Sequence, residues 1–447
     1  MKKIINIGIF AMVLLLSSCE SALDSIVPKD KIAQSTLTVN DIDRLRNGVY
    51  NEMEDFVWSV YFDFDIKGEN FKAGPGFSLI DPVSMIPAGA DVDGIWRSAY
   101  LRLRSVNFMI ETLDKLNDPK FETVRGEMYF FRALIYYHLV TRWGGVPILK
   151  MRTYDVVQRS TEQEVWNLII SDLEVSESNI GEFKEKWYAS KPVVYGLLAK
   201  VYLAQNNKEK VIEYCNKVID LNKFVQVTSA TEYATMFVAS SASKEVIFGL
   251  LNNNSTNKHL IYQKVNDVDG TWEYAAESSL FSSLYADYTI GGATFAGDKR
   301  KTAVFSTDAN RVVKFPNGKS GQQLVATTNA DYTPLNVLRY SEILLMKAEA
   351  QGAGTDAAAT LKPYFTNRYA TSPAEASIAA LNVTDFQNLI LIERRKEFFG
   401  EGQWWYDLKR TGRTDLLTTL NGRNFLMYYP VPQSQKDIAG YTQNDGY

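Results

Sequence analysis

Side chains suited to nucleophilic, redox or metal chemistry are scarce in this sequence. Its 447 residues include two cysteines, Cys19 and Cys215, and two histidines. There is no HExxH motif, no Cys/His cluster that could hold zinc and no GxSxG nucleophile elbow. Acidic turns at residues 91–94 and 267–270 lack the distal glutamate of a calcium loop. The sequence therefore predicts no catalytic residue, no metal site and no cofactor.

Cys19 is the one residue whose surroundings point to a reaction, and that reaction is its own lipidation. Lys2 and Lys3 precede a short apolar run at residues 4–16, which is too short to span a bilayer and is typical of an export signal. Residues 16–19, Leu-Ser-Ser-Cys, have the pattern of a bacterial lipobox. We therefore predict a signal peptide at residues 1–18, followed by lipidated Cys19 and a tether to residue 35 that anchor the chain without a transmembrane helix.

Composition and net charge argue against a nucleic-acid-binding protein. The chain is 46% hydrophobic and 22% charged, with a net charge of −4, which describes an ordinary globular chain and argues against nucleic acid as a partner. Cys215 has no second free cysteine to pair with once Cys19 is lipidated. It lies on the apolar face of a predicted helix, so we expect a buried structural thiol.

The elements that must position any site are mostly helical. Residues 191–221 predict two helices joined by a short polar turn, similar to a tetratricopeptide unit of about 34 residues. Residues 336–369 and 94–143 predict further pairs, which must stack to bury their apolar faces. The predicted fold class is mostly α: a tetratricopeptide-like scaffold of helical pairs, with irregular loops and short strands inserted to form the ligand face.

Two stretches break the helical periodicity and are rich in aromatic rings, residues 56–90 and 266–295. Long irregular loops inside compact domains are often functional. We divide the mature chain into an N-terminal helical region, 36–223, and a C-terminal region, 224–447, which contains an insertion at 253–330 and ends in an extended tail.

Four segments together resemble the SusD/RagB family of Bacteroidetes outer-membrane lipoproteins. They are RALIYYHLVTRWGGVP at residues 132–147, LRYSEILLMKAEA at 338–350, ERRKEFFGEGQWWYDLKRTGR at 393–413 and PVPQSQKDIAGYTQNDGY at 430–447. They occur in the family's order, and with the lipobox they extend over essentially the whole mature chain. Each segment alone is weak, whereas the set is specific.

The resemblance implies a non-enzymatic protein that sits on the outer membrane over a SusC-like TonB-dependent transporter. Members capture oligosaccharides, or in some cases peptides, and pass them to the transporter. The expected partners are thus a glycan, a SusC-like transporter and the membrane through the lipid anchor. Two alternatives stay open at this stage: a RagB-like peptide-capturing protein, and a surface glycoside hydrolase whose acid and base are ordinary carboxylates.

Sugar rings are recognised by flat aromatic faces together with polar side chains that bind hydroxyl groups. The resemblance implies that such rings come from an N-terminal loop and a middle insertion. The predicted ligand-binding residues are Tyr61, Phe71, Phe77, Trp272, Tyr274 and Tyr285. Each one could equally be a core residue. By contrast, we expect the charges at residues 393–397 to form a solvated helix face with local ion pairs.

Overall fold

The computed structural model describes residues 37–78, 82–153, 155–251, 261–265, 272–307, 311–315 and 333–447. Cys19, the predicted signal peptide and the predicted tether lie outside these ranges, as do parts of the predicted insertion. Within these ranges, no helix combines the length and the apolar character that crossing a membrane requires.

The first half of the chain is built from long helices. They are α1 (Ile42–Val60), α2 (Asp63–Lys67), α3 (Ala90–Leu116), α4 (Glu122–Trp143), α5 (Glu162–Asn179), α6 (Lys191–Ala204) and α7 (Lys208–Ile219), with strand β1 (Phe71–Ala73) between α2 and α3. Local sequence sets their ends. Thr161 and Glu164 form a reciprocal capping box at the start of α5, and Gly144 ends α4 with φ at 69°.

The second half mixes short strands with helices. Its elements are α8 (Ala230–Thr235), β2 (Val246–Leu250), α9 (Ile261–Val265), β3 (Tyr274–Ala276), α10 (Leu280–Ser283), β4 (Tyr288–Ile290), β5 (Ala293–Asp298), α11 (Lys301–Val304), β6 (Leu335–Arg339), α12 (Tyr340–Gln351), α13 (Thr355–Arg368), β7 (Tyr369–Thr371), α14 (Glu375–Ala379), α15 (Val383–Glu397), α16 (Trp404–Thr411) and α17 (Gln433–Ala439).

Helices that follow one another along the chain pack together. α3 packs on α4, α4 on α5, α6 on α7 and α12 on α13, while α12 also covers α7. The strands form small antiparallel sheets, β1 with β3, β2 with β6, and β4–β5–β7. The prediction of a mostly helical scaffold of paired helices with short-strand insertions is confirmed. Cys215 is fully buried in α7, as expected.

Two predictions about irregular segments are wrong. Residues 56–90 are not a continuous loop, because α1 runs on to Val60 and α2 follows almost at once. Phe56, Val57 and Val60 extend the apolar stripe of α1 that includes Met53. Their burial stabilises the continuation of the helix to Val60. The C-terminal tail is not wholly extended either, since it contains α17.

The charges at residues 393–397 do not form a solvated face, contrary to expectation. Glu393, Arg394, Lys396 and Glu397 are all at most 3% exposed. Glu397 accepts hydrogen bonds from three arginines brought by different elements: Arg368 Nε at 2.8 Å, Arg339 Nη1 at 2.8 Å and Arg300 Nη1 at 3.1 Å. This buried charge network ties α15 to the ends of β5, β6 and α13.

Candidate functional site

An open cleft of about 590 Å³ lies where the end of α1, α2, the start of α3, α9 and β3 meet. We call it the ring cleft. Its aromatic lining residues are Trp58, Phe62, Phe77 and Tyr274. Its polar lining residues are Ser59, Asp63, Lys67, Ser78, Asp91, Ser98, Lys264 and Glu273. A smaller cavity, of about 80 Å³, lies among the core helices.

Buried rings behind the cleft hold its exposed rings in place. Phe62 is 4% exposed and contacts Trp58 edge-on at 6.2 Å, Tyr274 at 5.6 Å and Phe71 at 5.6 Å between centroids. Trp58 and Tyr274 are half-buried, so each keeps part of its ring surface accessible. Because the rings are fixed in advance, a ligand would not have to order them on binding.

The polar groups of the cleft are also held by partners. Lys264 Nζ lies 2.5 Å and 2.6 Å from the two carboxylate oxygens of Glu273. Asp63 Oδ2 accepts hydrogen bonds from Arg142 Nε at 2.8 Å and from Tyr429 OH at 2.7 Å. Burial, with the charge of Glu273 second, raises the pKa of Tyr274 to about 12. The Tyr274 hydroxyl therefore stays protonated near neutral pH and can donate a hydrogen bond.

Asp65 anchors α2 beneath the cleft and carries a perturbed carboxyl group. It accepts hydrogen bonds from Asn70 Nδ2 at 2.7 Å, Gly400 N at 2.9 Å and Gly402 N at 2.6 Å. Full burial raises its pKa from 3.8 to about 6, even though these donors act in the opposite direction. In the folded protein, the Asp65 carboxyl group therefore keeps its proton up to a higher pH than an exposed aspartate does.

We expect Asp65 to make the protein less stable as pH rises from about 4 to 6. In this window the folded state binds the proton and the unfolded state does not, and a difference of about 2 pKa units corresponds to roughly 3 kcal/mol. We subtract the free energy of unfolding of Asp65→Asn from that of the wild type. This difference should fall by about 3 kcal/mol as pH rises through the window and stay constant above pH 7. Urea denaturation from pH 4 to 8 measures it. A carboxyl that titrates near 4 by carbon-13 NMR would contradict this assignment.

The six predicted ligand-binding residues fall into two groups. Tyr61, Phe71 and Tyr285 are only 3–4% exposed and belong to the core, so they present no ring face to a ligand. Tyr61 and Phe71 surround Phe62, and the Tyr285 hydroxyl donates to the Lys396 carbonyl oxygen at 2.8 Å. For these three residues the structure favours the core alternative over ring stacking.

The other three predicted residues lie at or beside the ring cleft. Tyr274 and Phe77 line it, and the Phe77 side chain is 42% exposed. Trp272 is half-buried and directly precedes Glu273 of the cleft wall, with φ at 50°, although it is not itself a lining residue. Sequence reasoning missed Trp58. Its position on α1 is the signal, because it lies outside the helical stripe formed by Met53, Phe56 and Val60.

A scaffold of paired helices that fixes ring faces and hydrogen-bonding groups around an open cleft is the architecture of a ligand-binding protein. Comparison with known proteins identifies the family. A family model described as "Starch-binding associating with outer membrane" matches residues 28–203, and a model of the SusD family matches residues 296–444. The chain belongs to the SusD/RagB family. Members of this family are binding proteins rather than enzymes, which confirms that part of the prediction.

Individual relatives are distant in sequence but similar over most of their length. SusD-like protein P2 of Formosa agariphila is 24% identical, over 80% of this chain and 81% of its own. A crystal structure of a SusD superfamily protein from Bacteroides thetaiotaomicron has a TM-score of 0.76 at 19% identity, covering 91% of this chain and all of the other. A laminarin-binding SusD-like protein has a TM-score of 0.70 at 19% identity, covering 91% and 99%. These structures show the same fold.

Proposed function

We propose that this protein is a lipid-anchored, surface-exposed outer-membrane protein that captures oligosaccharides in the ring cleft and delivers them to a SusC-like TonB-dependent transporter. One observation carries the proposal: a cleft of about 590 Å³ in which accessible ring surfaces stand beside hydroxyl, carboxylate and ammonium groups. The family's description as starch-binding and associated with the outer membrane supports it, as does the laminarin-binding relative of the same fold. The anchor through Cys19 remains part of the proposal.

Within the cleft, we assign ring stacking to Trp58 and Tyr274, with Phe77 at the rim. A sugar ring that covers these side chains removes its C–H face from water, while its hydroxyl groups reach Ser59, Ser98 or Glu273. Trp272 contributes through its backbone, which shapes the wall next to Glu273. The division of the mature chain at residues 223 and 224 also remains a proposal.

The test is an affinity-gel screen of the chain from residue 20 onward against plant, host and microbial polysaccharides, including laminarin, with a peptide mixture as a separate arm. We expect retention by at least one glycan class. Trp58→Ala should weaken that retention about tenfold or more, because truncating an aromatic residue at the centre of a site costs about 2 kcal/mol.

The matched control for Trp58→Ala is Tyr202→Ala, which removes a half-buried ring on α6, outside the cleft lining. Retention should be unchanged in this variant. Equal retention of Trp58→Ala, Tyr274→Ala and the wild type would refute the ring cleft as the binding site. Binding of peptides with no glycan retained would refute glycan capture in favour of the peptide alternative.

A further inference from the structure

A second surface cleft, of about 190 Å³, shares no lining residue with the ring cleft. Three lysines converge on it from separate segments: Lys186 from the turn before α6, Lys223 from the chain after α7, and Lys244 from the residues just before β2. We call it the lysine cleft. Three lysines lining one small cleft make it positively charged, in a chain whose net charge is −4.

These lysines have no acidic partner among the described residues. Lys186 Nζ donates to the Ser241 carbonyl oxygen at 2.5 Å, and Lys223 Nζ donates to the Phe183 carbonyl oxygen at 3.4 Å. Both acceptors are neutral. Burial alone lowers the pKa of Lys186 to about 8, with no carboxylate to oppose it. Among the described residues, no ion pair therefore compensates the positive charge.

Two lysines on the neighbouring helices α6 and α7, by contrast, have acidic partners. Lys200 pairs with Glu342 at 3.0 Å, and Lys217 pairs with Glu177 at 2.9 Å. Glu245 follows Lys244 directly in sequence, but its carboxylate faces the core, where it accepts from the Val227 backbone N–H at 2.6 Å and from Arg339. The buried Glu245 carboxylate therefore belongs to the charge network and does not pair with the lysines.

Two hydroxyl groups complete the set of donors. Ser241 Oγ accepts from the Ser243 backbone N–H at 3.1 Å, and Ser243 Oγ accepts from the Glu245 backbone N–H at 3.3 Å. Because the backbone uses an acceptor site on each oxygen, each hydroxyl proton is left to donate. The cleft therefore offers ammonium and hydroxyl donors, which is the set that an anionic oxygen group requires.

The cleft also has an apolar wall. Phe183 and Phe224 meet edge-on, with ring centroids 4.9 Å apart, and Phe224 is only 6% exposed. An inorganic ion has no apolar surface to pack against this wall, whereas a charged group attached to a sugar ring places C–H groups against it. At about 190 Å³ the lysine cleft has about a third of the volume of the ring cleft, which suits a substituent better than a chain of sugar rings.

We propose that the lysine cleft is a second binding site, which takes an anionic substituent of a saccharide, a sulfate ester or a uronate carboxylate. The saccharide part of this inference rests on the proposed glycan capture. The anion part rests on the lysines, the hydroxyl groups and the rings. The protein would thus hold an acidic glycan at two places, with ring stacking in one cleft and charge recognition in the other.

The test is lysine acylation of the protein from residue 20 onward, read residue by residue by mass spectrometry. The probes are glucuronate, glucose 6-sulfate, neutral glucose, inorganic sulfate and vesicles of anionic phospholipid. We expect one or both charged sugars to slow acylation of Lys186, Lys223 and Lys244 about tenfold at ten times the Kd, because only the free protein reacts. Glucose should give no protection, and exposed Lys208 on α7 should react equally in every sample.

Two variants separate this site from the ring cleft. Replacing exposed Lys223 and Lys244 together by methionine should abolish the protection of Lys186 and leave retention by neutral glycans unchanged. Trp58→Ala should weaken retention by neutral glycans and leave the protection of Lys186 unchanged. Loss of glycan retention in Trp58→Ala without any lysine protection would overturn this inference and leave the ring-cleft proposal standing. Protection equal to that given by glucose, or given only by inorganic sulfate or only by vesicles, would also overturn it.

Discussion

Replacing Glu397 by alanine is expected to lower the free energy of unfolding by about 3–5 kcal/mol, the largest stability effect that we predict for this chain. Glu397 is fully buried and hydrogen-bonded to Arg300, Arg339 and Arg368, which are themselves at most 2% exposed. Without the carboxylate, three guanidinium groups would share the remaining acids of the network. Breaking a buried ion pair is costly because it leaves uncompensated charge away from water.

The pKa of Glu397 gives an independent check. Burial alone would raise it, but the guanidinium groups of Arg368, Arg339 and Arg300 hold it well below its usual value. A carboxylate with a depressed pKa contributes stability above its unfolded pKa and loses that contribution as pH falls. The stability difference between the wild type and Glu397→Gln should therefore be constant near neutral pH and shrink below about pH 4.

Urea denaturation of the wild type and Glu397→Ala measures the effect. The control is Asp415→Ala, which breaks the exposed pair that Asp415 makes with Arg413 at 2.9 Å. That variant should differ from the wild type by less than about 1 kcal/mol. Losses of similar size in the two variants would contradict a special role for the buried network.

The contrast between α4 and α15 shows how far the sequence specifies this fold. The helical pair predicted at residues 94–143 ends where α4, Glu122–Trp143, ends, because a dense apolar pattern and Gly144 set this end locally. The prediction that the charge cluster on α15 is exposed to solvent was wrong for a physical reason. Its partners Arg300, Arg339 and Arg368 are distant in sequence, so a local pattern cannot distinguish an exposed charged face from a buried network.

The ring cleft was only partly predictable for a similar reason. Tyr61 and Trp58 are three residues apart and both are aromatic, yet the helix places Tyr61 in the core and leaves Trp58 half-exposed in the cleft. Deciding between them requires knowing that α1 continues past Phe56. Tyr274 was predictable as a ring outside any helical stripe. Its place in the cleft comes from strand pairing with β1, which only the folded chain shows.

That pairing leads to the second large effect: Gly74→Ala is expected to weaken glycan binding at the ring cleft tenfold or more while the protein still unfolds cooperatively. The Gly74 backbone N–H donates to the Glu273 carbonyl oxygen at 2.9 Å, directly beyond the Ala73–Tyr274 pair of the β1–β3 ladder. A methyl group on Gly74 would lie 1.6 Å from the Trp272 carbonyl oxygen. The two backbones must therefore move apart by more than an ångström.

This displacement acts on the site rather than on the core. Glu273 and Tyr274 form the cleft wall, and the Lys264–Glu273 ion pair links that wall to α9. Moving them disturbs both a ring face and its polar neighbours, and a tenfold loss of affinity corresponds to only about 1.4 kcal/mol. The β1–β3 ladder has three residue pairs, so its disruption removes little of the fold's buried apolar surface.

Affinity gels with the polysaccharide retained by the wild type, together with amide hydrogen exchange at residues 71–76 and 272–276, measure both consequences. We expect faster exchange in these two segments and unchanged protection in α4. Gly48→Ala is the matched control, because its added methyl group meets no atom within 4 Å. As a glycine-to-alanine change within α1, it should leave binding intact and raise stability by up to about 1 kcal/mol. Intact binding by Gly74→Ala despite accelerated exchange would show that the β3 wall does not contact the glycan, and would leave Trp58 on α1 as the main stacking residue.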